Sequence, residues 1–229
     1  MNRWIAGMVY LVCVIFLMMV SVIGCTGNRI ENLESVEVRE YQGEKLSSVN
    51  DFRENSIGGP QYIDITEYTL DVGGLVETPL TYTYDEVIDT YRSYQKVVTL
   101  NCVEGWSVTI LWEGFLLRDL INDASPSSDV KTVILFAYDG YSTSFPIEYV
   151  MDNDIIVAYR MNDVEIPPER GYPFQLVAES KWGYKWIKWI TDIELSDQTD
   201  YEGYWESRGY ANEGDLDKSF FDLGRSLFN

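Results

Sequence analysis

Hydrophobic and polar positions divide the chain into an apolar start, a polar stretch, a body of short patterned runs and a polar tail. In the body, Tyr68-Thr69-Leu70-Asp71-Val72 alternates with the period of two of a half-buried strand, and Gly73-Gly74 closes it as a turn. Thr83-x-x-Glu86 has the form of a capping box and predicts a short helix through Tyr91. Two apolar runs, Gln95 to Val103 and Val108 to Trp112, predict buried strands separated at Gly105. Between Phe115 and Ala124, the spacing of Leu116, Leu117, Leu120 and Ile121 predicts a helix with one inward face. Val130 to Ala137 predicts a strand ended by Asp139-Gly140, and Pro146 opens a helical turn. Ile155 to Tyr159, Phe174 to Ala178 and Trp186 to Leu195 predict three more strands, with Pro167-Pro168 in a loop. Strands outnumber helices and the helices are short. The predicted class is α+β, a mixed sheet or partial barrel around one core.

The ends read differently. Trp4 to Gly24 carries no charge, is preceded by Arg3, and is long enough to span a bilayer. It runs into Val22-Ile23-Gly24-Cys25, which resembles a lipoprotein signal-peptidase site with Cys25 as the lipidated residue. The alternative is an uncleaved transmembrane anchor. Either way the domain is expected to be exported and tethered to the outer face of the cytoplasmic membrane. Residues 25–60 are polar and acidic without a sustained apolar period, and read as a solvated linker whose early part could add an edge strand. The expected division is signal 1–24, linker 25–60, domain 61–196 and an acidic, irregular extension 197–229.

Charge and composition narrow the chemistry. Over 229 residues, 17 Lys and Arg stand against 37 Asp and Glu, a formal charge of −20. That excludes an electrostatic nucleic-acid binder. The chain contains 0 histidines, which excludes Ser-His-Asp and Cys-His nucleophiles, His-ligated zinc and His-ligated haem. Of the 3 cysteines, Cys13 lies in the apolar start and Cys25 at the signal site, which leaves Cys102 as the thiol of the domain. A lone cysteine is ordinarily a small core residue. Cys102, however, sits where a strand gives way to the Glu104-Gly105 break, a place from which a thiol can face a cleft. Lysines are scarce, yet Lys181, Lys185 and Lys188 fall within one short run, with Arg170 upstream. Such a cluster in an acidic chain suggests an anionic ligand, with Gly183 allowing close backbone approach and Trp182, Trp186 and Trp189 as apolar walls. The competing reading is a surface strand whose lysines serve local acids such as Asp192 and Glu194. Asp139 and Asp152-Asn153-Asp154 read as turns, without the spacing of a calcium loop. The aromatic residues serve equally as core or as a glycan-binding platform.

Thr99-Leu-Asn-Cys-Val-Glu-Gly-Trp-Ser107 and Trp112-Glu-Gly-Phe-Leu-Leu-Arg-Asp-Leu120 resemble the sulfite oxidase-type molybdopterin-binding domain. So do Ala137-Tyr-Asp-Gly-Tyr-Ser-Thr143, Glu169-Arg-Gly-Tyr-Pro-Phe-Gln-Leu-Val177, Lys181 to Ile190, and Tyr204-Trp-Glu-Ser-Arg-Gly-Tyr210. The resemblance runs from about Ile63 to Leu195 plus that last motif. It implies that Cys102 is the molybdenum ligand and the catalytic position. It further implies that Lys188, Lys185, Arg170 and Asp139 bind molybdopterin, to which the lysine run adds Lys181 and Gly183 as cofactor-binding candidates, and that the reaction is two-electron oxygen-atom transfer. Val103-Glu104-Gly105-Trp106 replaces the basic residues that sulfite oxidases place after the cysteine, so an S- or N-oxide is expected in preference to sulfite. Gln175 stands where an arginine often helps hold the cofactor. With no haem expected in the chain, electrons would pass through a separate partner. The absence of a twin-arginine signal, together with Gln175, also admits a cofactor-free binding or assembly module on the same fold.

Overall fold

A computed structural model describes residues 33–224. Among them no helix is long and apolar enough to cross a membrane. The run Trp4 to Gly24 and the lipidation site Cys25 lie outside the described residues.

A two-residue hairpin, β1 (Glu40–Tyr41) with β2 (Glu44–Lys45), opens the described chain. The body follows as β3 (Leu70–Gly74), β4 (Leu80–Tyr82), α1 (Tyr84–Thr90), β5 (Tyr94–Asn101), β6 (Ser107–Leu116) and α2 (Leu117–Asp123). Then come β7 (Thr132–Ala137), β8 (Ser142–Pro146), α3 (Ile147–Asp152), β9 (Ile156–Met161), β10 (Val164–Glu165), β11 (Gln175–Val177) and β12 (Ile190–Ser196). The strands form two five-stranded sheets. One runs β10-β9-β6-β5 with β11 also on β9, and the other runs β4-β3-β12-β7-β8. Only β3 with β12 is parallel among the named pairs, so the β4-β3-β12-β7-β8 sheet is mixed and the other is antiparallel, and the α+β class holds. The apolar faces of both sheets enclose one core that includes Trp112, Phe115, Phe174 and Ile193.

Local chemistry explains several boundaries. Thr83 caps α1 through a complete capping box with Glu86, as the spacing predicts. Gly114 lets β6 lie against β9: a Cβ there would sit 2.0 Å from the Val157 carbonyl oxygen. The last strand begins at Ile190 instead of Trp186, because Gly183–Lys185 forms a 3-10 turn and Trp189 takes φ +55°, which extended pairing cannot accommodate. The lysine run is therefore a turn and loop, not a strand. β8 escaped the pattern because Ser142, Thr143 and Ser144 are polar, although Thr143 and Ser144 are buried against β7 and the chain's C-terminal part.

The segment read as a solvated linker packs on the domain from Glu37 onward. Glu37 is buried and its carboxylate accepts from Ser48 Oγ at 2.6 Å, Val49 N at 2.9 Å and Asn162 Nδ2 at 3.0 Å. Val49 enters the core, and Phe52 stacks edge-on against Trp106 and Trp112. A few anchoring contacts hold this strap down, without any repeating apolar period.

Candidate functional site

β5 ends at Asn101, and the next residues turn tightly back into β6. Cys102 N donates to Trp106 O at 2.9 Å, Gly105 N donates to Cys102 O at 3.1 Å, and Gly105 takes φ +84°. This turn aims Cys102 into an open cleft that Arg170, Gln175 and Lys188 also line. Cys102 is a free, buried cysteine, and Asn55 Nδ2 of the strap lies 3.6 Å from its Sγ. Burial pushes the thiol pKa up, the nearby Glu104 charge pushes it further, and backbone and Asn55 hydrogen bonds oppose both.

The opposite wall comes from two loops. Gly171, at φ +114°, allows the Arg170 turn to lie against Gln175 and Lys188: a Cβ there would meet the Cβ of each at 3.1 Å. Gly183 backs onto the cysteine turn, where a Cβ would sit 3.2 Å from Asn101 O and 3.4 Å from Cys102 Cα. Arg170 donates through Nε to Val49 O at 2.9 Å and lies over the Phe52 ring at 5.1 Å. Lys188 Nζ lies over the Trp189 ring at 4.3 Å and pairs with Glu54 of the strap, at 3.2 and 3.3 Å to its two oxygens. Burial lowers the pKa of both cations, and Glu54 pulls the other way. Asp139, half-buried at the same cleft, has its pKa raised, chiefly by burial.

Of the residues singled out from sequence, Cys102, Arg170, Lys188, Gly183 and Asp139 line this one cleft, and Gln175 joins them. Lys181 and Lys185 do not. Lys185 is fully buried in an ion pair with Glu206 at 2.7 Å and also donates to Asn212 O at 2.9 Å. Lys181 pairs with Asp215 and lies over the Tyr149 ring at 4.5 Å. Both ammonium groups are thus committed to the C-terminal segment, behind the cleft wall. Their turn still contributes Gly183 and Tyr184 to the lining. Sequence reasoning missed the strap residues Phe52, Glu54 and Asn55, and Glu169, Trp205 and Tyr210. Of these, Glu169, Trp205 and Tyr210 fall within quoted motifs, whereas nothing periodic marks the strap.

The donor set suits an anionic, metal-bearing pterin. A soft sulfur ligand and two cations line the same cleft. Buried Gln175 Oε1 and Glu169 Oε2 have no hydrogen-bond partner, so the wall retains acceptors for the N–H groups of a heterocycle. Trp106 and Trp186 supply flat apolar surface. Among the described residues no cluster of three acidic or cysteine side chains is placed to hold a bare metal ion.

The family model for the oxidoreductase molybdopterin binding domain matches residues 57–205. The chain belongs to that family. It is a molybdopterin-binding oxidoreductase domain, and molybdopterin is its cofactor. The oxidoreductase YuiH of Bacillus subtilis (strain 168) is 30% identical over 157 residues, which cover 68% of this chain and 78% of that protein. Nitrate reductase [NADH] of Spinacia oleracea is 26% identical over 171 residues, 61% of this chain but 18% of its own length. The sulfane dehydrogenase SoxCD structure from Paracoccus pantotrophus superposes with a TM-score of 0.61 at 21% identity, covering 77% of this chain and 55% of that one. This structure shares the fold, and the family member described here spans about half its length.

Proposed function

We propose that the protein catalyses two-electron oxygen-atom transfer on a small substrate, with S- or N-oxides favoured over sulfite. The observation that carries this reading is the cleft itself, where the lone thiol Cys102, the cations Lys188 and Arg170, and the unpaired acceptors Gln175 and Glu169 converge. The bound cofactor supplies a metal that accepts or donates an oxygen atom with two electrons. The chain's own residues position it. Cys102 gives up its proton to become a thiolate ligand, and the Asn55 amide N–H stabilises the sulfur's negative charge. Lys188 and Arg170 bind anionic groups of the cofactor, and Gln175 and Glu169 accept its N–H groups. Phe52 and Trp106 wall the cleft and restrict water. Glu104 lines the cleft two residues from the thiol, so an incoming sulfite dianion meets a like charge while a neutral oxide does not.

In the reductive direction, an S-oxide takes up two electrons and two protons and leaves as thioether plus water. Those electrons are supplied by a redox partner. The apolar start and Cys25 support an exported domain tethered to the outer face of the cytoplasmic membrane. The test is turnover of the cofactor-loaded chain. Oxidation of reduced viologen by dimethyl sulfoxide or trimethylamine N-oxide is expected, with little sulfite-dependent reduction of ferricyanide. The opposite preference overturns the substrate assignment.

A further inference from the structure

Lys188 and Arg170 are two cations withdrawn from water, and such charges need a counter-anion. The side chains are 18% and 9% exposed. Besides Glu54, the Lys188 ammonium approaches Glu169 O at 3.5 Å and the Trp189 ring face, and the Asp139 carboxylate of the same cleft acts on it electrostatically without a direct ion pair. Glu54 reaches both cations, at 3.2 Å to Lys188 Nζ and 3.8 Å to Arg170 Nη1. Its remaining named hydrogen bonds are within its own loop, from Ser56 N at 2.9 Å and from Ser56 Oγ. The carboxylate is therefore carried by the strap and tied to the domain chiefly through the two cations. An arriving phosphate can replace it without breaking a bond inside the core.

We infer that Glu54 is a place-holding anion: it occupies the Lys188–Arg170 subsite in the cofactor-free chain and exchanges with the phosphate group of the arriving cofactor. The inference rests on the reading that this cleft takes the anionic pterin. Its consequence is selectivity. A free inorganic anion must displace a tethered carboxylate for the contacts of this subsite alone, whereas the cofactor gains its other contacts in the same event. Glu54 thereby keeps the subsite neutralised yet available.

The experiment uses the full chain, made in a host unable to synthesise molybdopterin and titrated calorimetrically with inorganic phosphate. Glu54→Gln is expected to bind phosphate about ten-fold more tightly than the unaltered chain, the scale of one charge-assisted contact. Adding Lys188→Gln should abolish the gain, and Glu77→Gln, which removes an exposed charge outside the cleft, should produce less than about a two-fold change. Equal affinity for Glu54→Gln and the unaltered chain overturns the inference. So does a gain that survives loss of Lys188, or an equal gain from Glu77→Gln. If Glu54→Gln fails to fold by near-ultraviolet circular dichroism, Glu54→Ala, which also removes the carboxylate, is read by the same criteria. The outcome separates from that of the cofactor reading. A chain that holds molybdenum but whose phosphate affinity ignores Glu54 overturns the place-holder alone, and a Lys188-dependent gain in a chain that never holds molybdenum overturns the cofactor reading alone.

Discussion

Replacing Glu206 by glutamine removes one charge from the interior while keeping the side chain's shape. Lys185 and Glu206 are both fully buried and lie 2.7 Å apart, and Thr143 Oγ1 donates to the same carboxylate at 2.6 Å. Glu206→Gln leaves the Lys185 ammonium in the core with neutral oxygens only, including Asn212 O. Breaking a buried pair from one side typically costs about 3–5 kcal/mol. For a domain of this size each kcal/mol shifts the melting temperature by about 2–4 °C, so the expected drop is roughly 6–20 °C. Urea unfolding followed by circular dichroism measures the cost, with an unchanged slope showing that the same surface is exposed on unfolding. The double variant Lys185→Met/Glu206→Leu should recover at least about 2 kcal/mol, because it leaves no charge behind. A cost for Glu206→Gln below about 1 kcal/mol is the size of a solvent-exposed pair and would refute the claim that the C-terminal segment seals Lys185 from water.

Three further outcomes follow from the same geometry. Gly114→Ala places a Cβ 2.0 Å from the Val157 carbonyl oxygen, so β6 must part from β9, and a loss of about 3 kcal/mol or more is expected in the same unfolding assay. Arg170→Ala leaves the Val49 carbonyl unpaired and removes the cation from the Phe52 ring, so hydrogen exchange over residues 49–57 should accelerate while exchange in β7 and β12 stays unchanged. Burial holds the Cys102 thiol protonated above the ordinary thiol range in the cofactor-free chain. Its alkylation should therefore be slow near neutral pH and rise with a midpoint above that of a free thiol. Because the folded state keeps this proton longer than the unfolded chain, the group's contribution to stability declines as pH rises through the ordinary thiol range. An alkylation midpoint below the free-thiol value contradicts the burial.

Elements governed by local chemistry were legible in the chain. The capping box at Thr83 and Glu86 fixes the start of α1, and the inward face of Leu117, Leu120 and Ile121 forms α2. Cys102 was legible as well, because a free thiol at a strand end is rare enough to notice. The lysine run was legible only in part. Scarcity pointed to an anionic ligand, but Lys181 and Lys185 meet Asp215 and Glu206 from a segment whose own pattern is irregular, and only the folded chain brings those acids to them. Lys188 alone of the three faces the cleft. The strap was illegible for a different reason. Its burial rests on isolated anchors such as Val49 and Phe52 and on the buried carboxylate of Glu37, none of which generates a period.

The central claim is that Cys102 holds a molybdenum cofactor in this cleft. The most direct measurement is molybdenum per chain in protein from a molybdenum-competent host, for the unaltered chain and for Cys102→Ser. The account predicts about one molybdenum per chain in the former, and loss of the metal together with the thiolate-to-metal absorption band in the latter. Molybdenum retained undiminished by Cys102→Ser, or absent from a correctly folded unaltered chain, would contradict it.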